Sequence, residues 1–362
     1  MLGFNQGKSL QAEKFSWPDP PPKNIVVRMP NWLGDLVMAT PILADLRTKW
    51  PDARITAMCQ SNVAHLLQHD PNIDEVYSFR RPSGWIHRSQ HLEIIEELQR
   101  GAYDLGILLT NSFSSAWWFW RGKVQNRIGF AGNARSFLLN KSLPFPKKQA
   151  KQHQVVTYKQ LLLPLGIPIS STKPALYVAP DEKAAALELL AKLHIDPSQQ
   201  NVIGINPGAA YGSAKCWLPE RFRAVATKLL QDPKNVILFF GDGTGTPLVN
   251  SICTDMPERV VNLAGKTSLR ELMALIQSCK VLLTNDSGPM HIASALGTPL
   301  VALFGSTNDI ATGPYNGGTI INKRVECSPC YKRVCPIDFR CMKRIEVDEV
   351  YNAIEKQLHG PR

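Results

Sequence analysis

Short apolar runs alternate with segments of helical period along almost the whole chain, and the alternation breaks once. Ile25-Val26-Val27 reads as a first buried strand. Leu36, Ala39, Ile42, Leu43 and Leu46 then recur at helical spacing. Further strands are expected at Arg54–Met58, Glu75–Tyr77 and Leu105–Leu109, and helices at Asn62–His69, Glu93–Arg100 and Val155–Leu165. From Leu165 to Pro180 the composition changes to that of a linker, with Gly166, Pro168, Ser170, Ser171, Pro174 and Pro180. A second series follows, with strands expected at Val202–Ile205, Val236–Phe240, Val260–Asn262, Val281–Thr284 and Leu300–Phe304. Its helices fall at Glu182–Leu193, Pro219–Leu230, Leu269–Ser278, Gly288–Leu296 and, last, Val347–Leu358. Strands alternating with helices imply parallel sheets covered on both faces. The expected fold is α/β, two Rossmann-like domains with a cleft between them. A flexible extension is expected over 1–23, one domain over 24–170, a second over 171–345 and a terminal helix over 346–362. In such sheets ligands bind beyond the carboxyl ends of the strands, so strand-to-helix loops carry the informative residues.

Three such loops have chemistry. In Asn285-Asp286-Ser287-Gly288-Pro289-Met290-His291 a strand runs through a small polar turn straight into a helix. The free amides of Ser287 and Gly288 at a positive helix end suit a phosphate, Asp286 suits an N-cap, and His291 lies one turn in. A capped structural helix with an incidental histidine would read the same way. In Asn206-Pro207-Gly208-Ala209-Ala210-Tyr211-Gly212-Ser213-Ala214-Lys215 small residues leave room for a ligand and Lys215 supplies a point charge. The spacing is not that of a P-loop, and a solvated lysine is the plainer alternative. In Asn31-Trp32-Leu33-Gly34-Asp35 a carboxylate stands at a helix start, either as a general base or as a cap. Gly241-Asp242-Gly243-Thr244-Gly245 is a lone glycine-rich turn. No Gly-x-Gly-x-x-Gly follows the first strand, which argues against a nicotinamide enzyme.

Charge is uneven. No Asp or Glu occurs between Asp104 and Asp181, while Arg121, Lys123, Arg127, Arg135, Lys141, Lys147, Lys148, Lys151, Lys159 and Lys173 fall in that gap. A field of one sign attracts an anionic partner, whether nucleic acid, phosphorylated substrate or membrane surface. Trp117-Trp118-Phe119-Trp120 lies in the same stretch and suits a membrane interface, single-stranded nucleic acid or a buried helix face. No run approaches the ~20 apolar residues that span a bilayer, and residues 1–23 have no apolar core of a secretory signal. A cytoplasmic location with reduced thiols is therefore expected. Cys327, Cys330, Cys335 and Cys341 are spaced closely enough to hold zinc, or to be reduced structural cysteines.

Taken together, the chain resembles the ADP-heptose:lipopolysaccharide heptosyltransferases, most of all their heptosyltransferase II branch. The resemblance rests on Pro30-Asn31-Trp32-Leu33-Gly34-Asp35 with Met38-Ala39-Thr40-Pro41, on Asn206-Pro207-Gly208-Ala209 with Lys215-Cys216-Trp217, on Asn285 to His291, and on Cys327-Ser328-Pro329-Cys330 with Cys335-Pro336. It implies the glycosyltransferase B-type fold, with ADP-heptose bound by the C-terminal domain. It also implies a final helix crossing back onto the N-terminal domain and inverting heptose transfer to the first heptose of the lipopolysaccharide inner core. The implied acceptor is of the heptosyl-Kdo-lipid A type, met by a monomer touching the anionic inner membrane from its cytoplasmic face. No nucleic acid, cofactor or active-site metal is implied. Residue by residue, the resemblance makes Asp35 the base. Ala209, Ala210, Lys215, Asp286, Ser287, Gly288 and His291 become donor-binding. Asn31, Trp32, Arg121 and Lys123 are the acceptor-side expectations. Ala209-Ala210 replaces two threonines of another branch. Heptosyltransferases of types I and III, and sugar-nucleotide epimerases of similar architecture, are the competing readings.

Overall fold

The computed structural model describes residues 20–82, 88–146 and 152–360. Most of the expected extension, and Lys147, Lys148 and Lys151 of the acid-free stretch, lie outside the described residues.

The N-terminal half carries β1 (Asn24–Arg28), α1 (Leu33–Lys49), β2 (Arg54–Gln60), α2 (Ser61–Ala64), β3 (Glu75–Phe79), α3 (Arg88–Arg100), β4 (Leu105–Leu108), α4 (Phe113–Arg121), β5 (Asn126–Phe130), β6 (Lys141–Leu143) and α5 (Gln154–Lys159). The C-terminal half carries α6 (Pro180–Lys192), β7 (Asn201–Asn206), α7 (Pro219–Leu229), β8 (Asn235–Phe239), α8 (Thr246–Cys253), β9 (Val260–Asn262), α9 (Leu269–Ser278), β10 (Val281–Asn285), α10 (Gly288–Leu296), β11 (Leu300–Phe304), α11 (Asp309–Thr312), β12 (Thr319–Asn322), α12 (Arg340–Lys343) and α13 (Val347–His359).

Each half builds one parallel six-stranded sheet, in the orders β3-β2-β1-β4-β5-β6 and β12-β11-β10-β7-β8-β9. Both are the doubly wound order, which reverses between β1 and β4 and between β7 and β10. The loops leaving those strands therefore form each sheet's ligand-binding crevice. The central strands β4, β8, β10 and β11 are buried along their whole length, as apolar runs without alternation require.

The two halves share apolar contact. One cluster of buried side chains joins Ile25, Leu36 and Leu43 of the first half to Leu282, Met290 and Ile292 of the second. The linker is tied to both. Asp45 on α1 accepts from Ser170 Oγ (2.8 Å) and Thr172 Oγ1 (2.7 Å), and the buried Lys159 ammonium donates to the carbonyls of Ser170 (2.9 Å) and Thr172 (2.6 Å). Asn316 Nδ2 donates to the Pro174 carbonyl at 2.9 Å from the other side.

One expectation is corrected. The final helix does not cross back. Val350 and Ile354 of α13 sit in an apolar cluster with Phe222, Val225 and Leu303, all within the C-terminal half, so its amphipathic face is covered at home. Of the alternatives open for the aromatic run 117–120, the buried helix face holds for its middle: Trp118 and Phe119 are buried and Trp118 Nε1 donates to His91 Nδ1 at 2.7 Å, leaving Trp120 half exposed. No helix of the described residues is long and apolar enough to cross a membrane.

Candidate active site

The site forms where the first turns of α1 and α10 interlock. Asp35 stands in the first turn of α1, whose N-cap, Trp32, makes no side-chain cap bond. A Cβ on Gly34 would lie 2.6 Å from the His291 ring, and one on Gly288 would lie 2.8 Å from the Leu33 side chain. Glycine at both positions lets the two helix starts, one from each sheet, approach this closely.

Asp35 is not acting as a cap. Its Oδ1 accepts a hydrogen bond from the Tyr158 hydroxyl of α5 at 3.3 Å. Removal from water pushes its pKa up, the Tyr158 hydrogen bond and Lys215 pull it down, and Asp286 pushes it up again. That balance is the one expected of a carboxylate held ready to take a proton.

Across the junction, Lys215 Nζ lies 2.6 Å from Asp286 Oδ2, with both side chains largely buried. Thr307 Oγ1 donates to the same oxygen at 2.6 Å. Asp286 therefore does not cap α10 as the sequence suggested. Ser287 is the N-cap residue and its side chain makes no cap bond to the helix-start amides. The Ser287 hydroxyl instead meets Thr284 Oγ1 (2.9 Å) and accepts from Asn206 Nδ2 (3.2 Å). Asn285 ties the loops leaving β7 and β10 together, its Oδ1 accepting from the Trp217 amide (3.0 Å) and its Nδ2 donating to the Pro207 carbonyl (2.7 Å). Burial lowers the His291 pKa from 6.5 to about 4, so its imidazole is neutral at physiological pH.

Asp35, Lys215, Asp286, Ser287, Gly288 and His291 thus come together, with Ala209 and Ala210 on the loop leaving β7 in the same crevice. On the N-terminal side Asn31 accepts from Arg28 Nη2 at 2.5 Å, and Trp32 is more than half exposed at the crevice edge. Arg121 and Lys123 are not part of this group. Arg121 ends α4 and Lys123 follows it, and α4 runs from the carboxyl edge of β4 back to the amino edge of β5, opposite Asp35. Sequence reasoning missed Tyr158 and Thr307, which reach the site only through the packing of α5 on α1 and of the β11 loop on α10. No spacing pattern announces either.

Cys327, Cys330, Cys335 and Cys341 are free thiols near one another. Burial first, and the other three thiols after it, raise the Cys341 pKa. Among the described residues no group of three or more His, Cys, Asp or Glu is arranged to hold a metal ion.

The sequence profile of glycosyltransferase family 9 (heptosyltransferase) matches residues 91–339. The chain is 31% identical to the lipooligosaccharide heptosyltransferase 2 of Haemophilus influenzae over 84% of its own length and 89% of the relative's. It is 28% identical to a lipopolysaccharide heptosyltransferase 3 of Escherichia coli, over 79% and 85%. The solved structure of the E. coli ADP-heptose lipopolysaccharide heptosyltransferase II superposes with a TM-score of 0.78 at 26% identity, covering 92% of this chain and 98% of that one.

Proposed function

The chain belongs to glycosyltransferase family 9, and from that premise we propose that it moves L-glycero-D-manno-heptose from ADP-heptose to the first heptose of the lipopolysaccharide inner core, as a heptosyltransferase II. The observation that carries the reading is Asp35 of one domain set against Lys215 and the start of α10, which its N-cap side chain leaves uncapped, in the other.

Asp35 Oδ1 is tethered by Tyr158, leaving Oδ2 to take the proton of the acceptor hydroxyl. The freed oxygen attacks the anomeric carbon from the face opposite ADP. The bond from that carbon to the diphosphate breaks, and ADP leaves with the electron pair. The growing charge falls beside Lys215, which keeps further N–H donors beyond the one engaged by Asp286, and at the amides opening α10. These groups are in place before reaction, so they need little reorganisation. Neutral His291 adds a hydrogen-bonding ring to that wall without a second positive charge.

The acceptor is lipid-borne, so we place the enzyme in the cytoplasm, at the inner face of the inner membrane, as a monomer using no cofactor or active-site metal. The experiment is mass spectrometry of product after incubation with ADP-heptose and acceptors carrying no, one or two heptoses. One added heptose on the one-heptose acceptor supports type II. Addition to the heptose-free or two-heptose acceptor replaces it with type I or III, and an epimerised nucleotide sugar without transfer sinks the reading. Asp35→Asn should lower kcat by about 10²–10⁴, the range of a general base. Near-normal turnover in that variant overturns the base assignment.

A further inference from the structure

The cysteine-bearing loop beyond β12 has a role that the catalytic reading leaves unassigned. Within seven residues it exposes three apolar side chains, Tyr331 at 51%, Val334 at 69% and Ile337 at 59%. Exposed Lys332 and Arg333 lie between them. The next carboxylate, Asp338, is engaged by Arg340, so the tip of the loop is apolar and cationic. Single exposed apolar residues are ordinary, but three on one short loop with interleaved cations are not scattered surface.

The start of the loop is fastened by its backbone to the second sheet's loops. Tyr331 N donates to the Ser306 carbonyl at 2.8 Å, the Tyr211 hydroxyl donates to the Tyr331 carbonyl at 2.8 Å, and Ala214 N donates to the Arg333 carbonyl at 2.9 Å. Gly212 admits this approach, since a Cβ there would strike the Arg333 carbonyl. Ser306 follows β11 and Tyr211 follows β7, so the loop sits at the carboxyl edge of the second sheet, on the rim of the crevice that holds Lys215.

We propose that residues 331–337 dock the protein on an anionic lipid surface. Tyr331 suits the headgroup boundary, Val334 and Ile337 reach the acyl region, and Lys332 and Arg333 meet lipid phosphates. A nucleic acid would gain nothing from exposed Val and Ile. The purpose rests on the proposed lipid-borne acceptor, because a rim loop on the membrane sets the crevice at the surface that displays it. The docking itself does not depend on that reading.

The test is co-sedimentation of the full chain with vesicles of phosphatidylcholine alone, or with about a third phosphatidylglycerol. The protein should sediment with the anionic vesicles and be released by high salt. The double substitution Val334→Asp with Ile337→Asp should weaken partitioning about tenfold or more, with the melting temperature and the KM for ADP-heptose unchanged. Equal binding by the double variant, or no preference for anionic vesicles, overturns the proposal. So does a concentration-dependent dimer that the double substitution abolishes in place of vesicle binding. If vesicle binding behaves as expected but no heptose is transferred, the docking stands and the activity proposed above fails.

Discussion

At the scale of residues, the site turns on Asp35 and the Tyr158 hydroxyl that donates to it. A hydroxyl donating to a carboxylate favours the charged form, so losing it raises the acid's pKa. Tyr158→Phe should therefore move the acid limb of the kcat/KM profile to higher pH, with modest loss at the alkaline plateau. An unshifted limb would show that the hydroxyl does not govern the base. His291 makes a complementary prediction about stability. Its folded pKa of about 4 lies below the ordinary 6.5, so below pH 6.5 the unfolded chain takes up the proton first. The neutral folded form is fully favoured above about 6.5, and stability falls as pH drops from there to about 4, by roughly 3 kcal/mol in all. His291→Gln should flatten that part of the curve, read by denaturant unfolding at several pH values. A slope that survives the substitution assigns the effect to another group. Asp35, Lys215, Asp286 and His291 were singled out on strand-to-helix loops, each with a plainer alternative beside it, and the family resemblance gave them their expected roles. Tyr158 was not, since nothing in its neighbours along the chain distinguishes it from the apolar helix around it.

At the scale of elements, the decisive contact is between the first turns of α1 and α10. Gly34→Ala places a methyl group 2.6 Å from the His291 ring, too close without displacement of a buried side chain. The expected cost is about 1–3 kcal/mol of stability, as for other overpacked cores. Activity should fall with it, because the displaced ring lies against the α1 turn that carries Asp35. Thermal melts and steady-state kinetics on one preparation check both, and an unchanged melting temperature would mean the helices have room to part. Some elements were hard to read in the chain. β5 (Asn-Arg-Ile-Gly-Phe) mixes an arginine and a glycine into a buried strand, and the three-residue β6 is shorter than any periodicity can reveal. The aromatic stretch of α4 did signal a helix face, but its direction depends on strand order. Only the order β1-β4-β5 shows that Arg121 and Lys123 end up away from the crevice.

At the scale of the whole molecule, two sheets share one apolar cluster through α1, α10 and the linker. Apolar burial that is common to both halves couples their unfolding. Calorimetry should therefore show a single transition with calorimetric and van't Hoff enthalpies in agreement, and two resolved transitions would mean that the shared contacts are too weak to couple the halves. The sequence by itself determined the α/β class and singled out the three strand-to-helix loops that the fold gathers in one crevice. Those features follow from local rules of periodicity, turn composition and helix starts, which neighbouring residues suffice to express. Tertiary structure alone decided that Lys215 pairs with Asp286, that Tyr158 holds Asp35, that α13 stays on its own sheet and that Trp118 and Phe119 are buried while the rim loop is exposed. Each of these depends on which distant faces exclude water together, and that is set when the sheets twist and pack, not by spacing along the chain.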